Sequence, residues 1–225
     1  MTPSAMSLDA IELQTRPDPD ATVVVLHGLG ADGYDFVPIV KELETLGVPP
    51  ARFVFPHAPT MPVTINGGYV MRAWYDILGT DLVRREDEAG LRSSQAAIEA
   101  LLGREMARGI APGRIVLAGF SQGGAVTLQV GLRQPEPLAG LVVLSSYLPL
   151  AAQAAAERHE GSRSVPIFMA HGTQDPVVPL ARGTAARDQL QQLGYAVEWH
   201  EYPMPHSVCA EEVEAIAAFL RRVLA

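Results

Sequence analysis

The residues best suited to do chemistry lie in Gly119-Phe120-Ser121-Gln122-Gly123. This G-x-S-x-G motif directly follows a run of strand character at 115–118 and opens a segment of helical period. A serine in a sharp strand-to-helix turn has its hydroxyl lifted above the sheet edge. Glycines two positions either side let strand and helix close on that turn without a clash. The helix N-terminus adds free N–H groups aimed at developing negative charge.

A serine hydroxyl is a poor nucleophile until a base takes its proton, so the motif calls for a histidine and an acid to orient it. Both follow in the chain. Asp175 lies in His171-Gly172-Thr173-Gln174-Asp175-Pro176-Val177-Val178-Pro179, after a strand at 166–170. His206 lies in Met204-Pro205-His206-Ser207, after a strand at Val197–Tyr202 and before the last helix. Each has a plainer reading. Asp175 could cap the helix that starts near Leu180, and His206 is one of six histidines in the chain, the others being His27, His57, His159, His171 and His200. Their positions at three strand ends, in the order Ser, acid, His, favour a triad of Ser121, Asp175 and His206.

Acyl transfer through a serine also needs donors for the oxyanion of the tetrahedral intermediate. The amide of Gln122, next to the serine, is one candidate. The amide of Leu29, in His27-Gly28-Leu29-Gly30 after the strand Thr22–Leu26, is the other. These glycines do not read as a nucleotide cradle, because the only lysine in the chain is Lys41.

Positioning such residues takes a sheet. Short Val-, Ile- and Leu-rich runs at Thr22–Leu26, 52–55, 115–118, 141–144, 166–170 and Val197–Tyr202 alternate with helical segments at 35–46, 91–108, 123–133, 180–193 and 210–224. That alternation predicts an α/β protein with a mostly parallel central sheet flanked by helices. In the last helix Val213, Ile216, Leu220 and Val223 share a face, with Glu211, Glu212 and Glu214 near its start and Arg221 and Arg222 near its end, as the helix dipole favours.

With 225 residues and no linker or repeat, one domain spanning 1–225 is expected. The stretch 56–81 reads as a long irregular loop punctuated by Pro59, Pro62, Gly67 and Gly68. A loop of that length in a compact domain is usually functional. Its apolar residues, Met61, Val63, Ile65, Val70, Met71, Trp74 and Ile77, are either a satellite core cluster or the lining of a substrate pocket. Flexible Met beside a large aromatic favours the pocket.

Composition excludes other chemistries. Acidic residues outnumber basic ones 25 to 17, for a net charge of −8, which argues against a nucleic-acid partner. Cys209 is the only cysteine, so no intrachain disulfide and no multi-cysteine metal site can form. A small buried residue at a helix start is its expected role. No metal is expected. No export signal is evident, and the most apolar run, at 138–152, is interrupted by Ser145, Ser146 and Pro149. It is also shorter than the ~18–20 residues of a membrane span. A cytoplasmic protein without stable membrane insertion is expected.

Taken together, His27-Gly28-Leu29-Gly30, Arg72-Ala73-Trp74-Tyr75-Asp76, Gly119-Phe120-Ser121-Gln122-Gly123-Gly124, the His171–Pro179 stretch and Met204-Pro205-His206 make the chain resemble the small carboxylesterase, lysophospholipase and acyl-protein thioesterase family of α/β-hydrolases. The resemblance implies an α/β-hydrolase fold and a cytosolic, cofactor-free serine esterase. It implies Ser121, Asp175 and His206 as triad, Leu29 and Gln122 as oxyanion donors, and an acyl pocket around Trp74. It also implies a homodimer through surfaces near the site, a form that members often take. The interval 145–165, where larger hydrolases of this fold insert a cap, reads as a Pro-containing turn and a short Ala-rich helix, so no cap domain is expected.

The expected function is hydrolysis of short- to medium-chain acyl esters, small molecules, through an acyl-enzyme. An acyl-protein thioesterase or lysophospholipase with the same triad is the alternative. A peptidase on this fold usually carries an added propeller or cap, for which the chain has no room. A non-catalytic ligand-binding module is the reading from another class.

Overall fold

The computed structural model describes residues 8–79 and 86–225. Its nine strands are β1 (Ala10–Gln14), β2 (Thr22–Leu26), β3 (Arg52–Pro56), β4 (Thr60–Val63), β5 (Tyr69–Arg72), β6 (Ile115–Phe120), β7 (Gly140–Leu144), β8 (Ile167–Gly172) and β9 (Val197–Tyr202). Its α-helices are α1 (Ile39–Thr45), α2 (Glu88–Ala107), α3 (Gln122–Gly131), α4 (Ala151–Glu157), α5 (Leu180–Gln192) and α6 (Ala210–Val223).

All six expected strands are present, within a seven-stranded sheet of order β1-β3-β2-β6-β7-β8-β9. Every pairing is parallel except β1 with β3, an antiparallel edge in which Ile11 faces Phe55 and Leu13 faces Phe53. The edge strand β1 lies outside the six expected. Central strands β3 and β7 are buried along their whole length, which suits sheets covered on both faces. Two apolar layers do the covering. Leu91, Ile98 and Leu102 of α2, Val126 and Leu128 of α3 and Leu190 of α5 pack in one. Val40 and Leu43 of α1 and Val213, Ile216 and Leu220 of α6 pack in the other, with Val223 partly buried against it.

The chain order explains where the site lies. From β2 the chain moves outward to β3, then crosses back to place β6 on the other side of β2. At such a switch the loops leaving the carboxyl ends of neighbouring strands diverge and open a crevice. Here they are the loop after β2, with Leu29, and the turn after β6, with Ser121.

Two expectations need correction. Helix α1 starts at Ile39 rather than 35, because Pro38 occupies its N-cap and residues 33–38 form turns. The stretch 56–81 is not structureless: β4 and β5 pair as an antiparallel hairpin, with Met61 opposite Met71 and Val63 opposite Tyr69. Gly67 and Gly68 make its turn possible with φ of 67° and 81°, values that cost other residues strain. Residues 80 and 81 lie outside the described residues. No cap domain interrupts β7 and β8, between which run α4 and a short 3₁₀ turn at Glu160–Ser164. Among the described residues no helix is long and apolar enough to cross a membrane.

Candidate active site

Ser121 stands alone between the last residue of β6 and the first of α3, with φ 53° and ψ −118°. A non-glycine residue in such a conformation stores about 1–3 kcal/mol of strain and must be held there. Its N–H donates to Leu144 O at 2.8 Å. Its carbonyl accepts from the Ser146 hydroxyl at 2.6 Å. The motif's glycines are required by close approach. A Cβ on Gly119 would lie 2.3 Å from the Gly123 carbonyl carbon, and one on Gly123 would lie 2.2 Å from Leu26 O.

Asp175 and His206 meet, as the sequence order anticipates. Asp175 Oδ2 is 2.6 Å from His206 Nδ1. Asp175 Oδ1 accepts the amides of Val177 at 2.8 Å and Val178 at 2.9 Å. The Asp175 side chain is fully buried, whereas that of His206 keeps 15% exposure. The capping alternative does not hold for α5. Asp175 caps the turn at 177–178, leaving the N-cap of α5 to Pro179, which has no side-chain cap. The His206 ring lies 4.6 Å from that of Phe120, the residue before Ser121.

His171 belongs to this cluster although its sequence position did not single it out. Its ring is buried, with Nε2 at 2.8 Å from Val178 O and 3.6 Å from Asp175 Oδ2. A ring nitrogen bonded to a carbonyl carries the proton, so His171 presents an N–H to the acid's side of the loop. Its spacing of four residues before Asp175 was the available signal.

Leu29, Ser121 and Gln122 line one cavity of about 520 Å³. A Cβ on Gly28 would lie 3.5 Å from Ser121 Cβ, so the loop after β2 passes directly against the serine. The cavity's apolar wall comes from Ile65, Tyr75, Ile77, Tyr147, Val177 and Val178.

Of the pocket residues expected from the sequence, Ile65 and Ile77 line this cavity, whereas Met61, Val63, Met71 and Trp74 are not in its wall. Val63 and Trp74 are 0% and 2% exposed and belong to the interior. The Trp74 indole N–H is bonded to His27 O at 2.9 Å. Met61 and Met71 pair across the hairpin, and Met71 Sδ accepts from Asn66. Side chains alternate faces along a strand, and the hairpin offers the cavity its turn residues Ile65 and Asn66 instead.

Tyr75 and Tyr147, also missed, join through their hydroxyls at 2.6 Å. Burial pushes the Tyr147 phenol up to about 12 and Tyr75 well above its usual range, so both stay protonated. The Arg182 guanidinium lies 5.8 Å from the centre of the Tyr147 ring. Tyr147 and Arg182 line both this cavity and a second hollow of about 410 Å³ bordered by Glu86. Burial raises the Glu86 carboxyl, a shift partly offset by the Leu150 amide. Among the described residues no cluster of three His, Cys, Asp or Glu could hold a metal ion. Cys209 is the N-cap of α6, partly buried, and burial raises its thiol.

Comparison with known proteins places this geometry. Residues 9–224 match the model of the family described as phospholipase/carboxylesterase. The chain belongs to that family. As a phospholipase/carboxylesterase family member it is a carboxylic ester hydrolase on an α/β-hydrolase fold. It is 44% identical over 209 residues to acyl-protein thioesterase 1 of Neurospora crassa, covering 89% of this chain and 85% of that protein. Among solved structures it is similar to Arabidopsis thaliana SOBER1, with a TM-score of 0.86 and 33% identity over 91% of this chain and 99% of that one. It is also similar to Zea mays acyl-protein thioesterase 2, with a TM-score of 0.82 and 27% identity over 96% and 99% of the two chains.

Proposed function

We propose that the protein is a serine carboxylesterase for short- to medium-chain acyl esters, with Ser121 as nucleophile, His206 as general base and acid, and Asp175 as the group that orients it. The observation that carries this reading is the strained Ser121 turn opening onto a largely apolar cavity of about 520 Å³, with the hydrogen-bonded Asp175–His206 pair beside it through Phe120. His206 takes the Ser121 proton as the hydroxyl attacks the ester carbonyl. The amides of Leu29 and Gln122 receive the oxyanion. The alcohol leaves with the proton from His206, and water repeats the sequence on the acyl-enzyme. Asp175, anchored by two amides, fixes the imidazole tautomer and stabilises the imidazolium.

The open cavity, with no cap domain over it, suits a small acyl ester. Thioesters are the second reading, supported by the names of the fungal and maize relatives, since the same oxyanion and acyl-enzyme serve both. Within the same proposal the protein acts in the cytoplasm, where a single unpaired Cys209 is compatible with reducing conditions. It pairs as a homodimer through a face that includes Ile65 and Val177, exposed at the cavity, and Tyr69 and Val70, exposed on the hairpin strand β5.

The test is a panel of p-nitrophenyl esters of increasing chain length run beside an acyl thioester and a lysophospholipid. Highest kcat/KM on short and medium esters supports the proposal. A thioester preference of tenfold or more would hand the assignment to the second reading.

A further inference from the structure

The segment 72–75 touches both loops that carry the oxyanion donors. Gly30 N–H donates to Arg72 O at 2.9 Å. The Trp74 indole N–H donates to His27 O at 2.9 Å. Leu29 is therefore bracketed, two residues behind and one residue ahead, by bonds to the same short segment. On the other side, Trp74 N–H donates to Gln122 Oε1 at 2.8 Å, and Gln122 Nε2 donates to Tyr75 O at 2.7 Å. The Gln122 side chain is thus fixed at both ends of its amide and is 3% exposed.

The segment is itself braced. Arg72 Nη1 donates to Ala58 O at 2.8 Å, Ala73 N–H to Pro59 O at 3.0 Å, and the Ser94 hydroxyl to Trp74 O. His27, whose carbonyl receives the indole, accepts the Ala58 amide on Nε2 at 3.0 Å.

We infer that Trp74 and the Gln122 side chain are positioning residues that set the separation of the two oxyanion amides, and that Trp74 does not bind the acyl chain. The two donors come from turns after β2 and β6, and although Leu144 and Ser146 also hold the Ser121 turn, those bonds do not tie it to the loop after β2. Hydrogen bonds to one rigid intermediary give them a common reference. An oxyanion hole acts only if its donors are in place before charge develops, and a displacement of about 1 Å at a reacting centre costs roughly 100-fold in rate.

The inference rests on the serine-esterase reading. The experiment compares Trp74→Phe, which removes the indole N–H but keeps a large ring, and Gln122→Met, which keeps length but removes both amide bonds. Phe168→Leu, a buried change on β8, serves as a stability control. Folding is followed by thermal melting, turnover with p-nitrophenyl butyrate, and oxyanion binding with an acyl trifluoromethyl ketone, whose serine adduct places a tetrahedral oxyanion in the hole.

Both variants are expected to lose roughly tenfold to 100-fold in kcat, with KM within twofold and the order of chain-length preference unchanged. The inhibition constant of the ketone should rise by the same factor as kcat/KM falls, while Phe168→Leu lowers only the melting temperature. Unchanged kcat in either folded variant overturns the inference. So does a Trp74→Phe enzyme with normal kcat and altered chain-length preference. Full turnover by Ser121→Ala would instead overturn the esterase reading, so the two failures are distinguishable.

Discussion

Asp175 holds His206 with one carboxylate oxygen and the backbone with the other: Oδ2 lies 2.6 Å from His206 Nδ1, while Oδ1 accepts the amides of Val177 and Val178. The division matters because the amides fix the carboxylate independently of its partner. Asp175→Asn would keep the side chain in place on those amides and turn an N–H₂ toward His206. The imidazole would then adopt the wrong tautomer for taking the Ser121 proton. kcat should fall by roughly 10³–10⁴ with a melting temperature close to that of the parent. Steady-state kinetics on a p-nitrophenyl ester and a thermal melt check both halves.

Acyl-length selectivity should follow the walls of the cavity. Ile65→Ala and Ile77→Ala remove apolar surface that lines it. They should weaken kcat/KM for the longest accepted esters by roughly three- to tenfold, given about 0.8 kcal/mol per methylene lost from contact, and leave acetate esters little changed. Met61→Ala should leave the profile flat. A chain-length series on the three variants decides the matter, and a Met61 effect larger than that of Ile77 would return the pocket to the hairpin strands.

Gly123 allows no side chain. A Cβ there would lie 2.2 Å from Leu26 O and 2.7 Å from His27 O, both backbone atoms of neighbouring structure. Gly123→Ala should cost roughly 3 kcal/mol or more, read by urea denaturation or as loss of soluble protein. Preserved stability would mean that α3 can move away from β2.

Glu212 gives the fold a pH dependence. It is fully buried in the first turn of α6, no side chain pairs with its carboxylate, and burial raises it to about 7. The nearby Cys209 amide pulls it down only in part. With its folded value above its ordinary one, the protonated form is favoured in the native state. Its contribution is full below about pH 4.5 and is lost as pH rises through about 7. Glu212→Gln should remove that loss, on the order of 2–3 kcal/mol, and make the variant the more stable protein at pH 8. Denaturation curves at pH 5 and pH 8 for both proteins give the sign.

The sequence showed the parts of this site that are local. Ser121 between its glycines, Asp175 after an apolar run and His206 after an alternating one are legible because a turn at a strand end is written in adjacent residues. The central strands were equally plain as Val, Ile and Leu runs. The edge strand β1 carried only Ile11 and Leu13 alternating with Glu12 and Gln14, and its partner β3 is remote in the chain. Pro62 disguised β4, since proline within a run argues against a strand. The misplacement of Trp74 and Val63 has a related cause. Apolar residues in a segment between strands belong either to the core or to a ligand, and the choice depends on which face of the hairpin docks. The same non-local docking brings Tyr75 to Tyr147.

The central claim is that Ser121 is the nucleophile, and covalent trapping tests it most directly. A serine-reactive fluorophosphonate should label the protein at one site per chain, with peptide mass spectrometry placing the phosphonyl group on Ser121. Labelling and ester turnover should vanish together in folded Ser121→Ala. Labelling elsewhere, or hydrolysis surviving intact in that variant, would contradict the account.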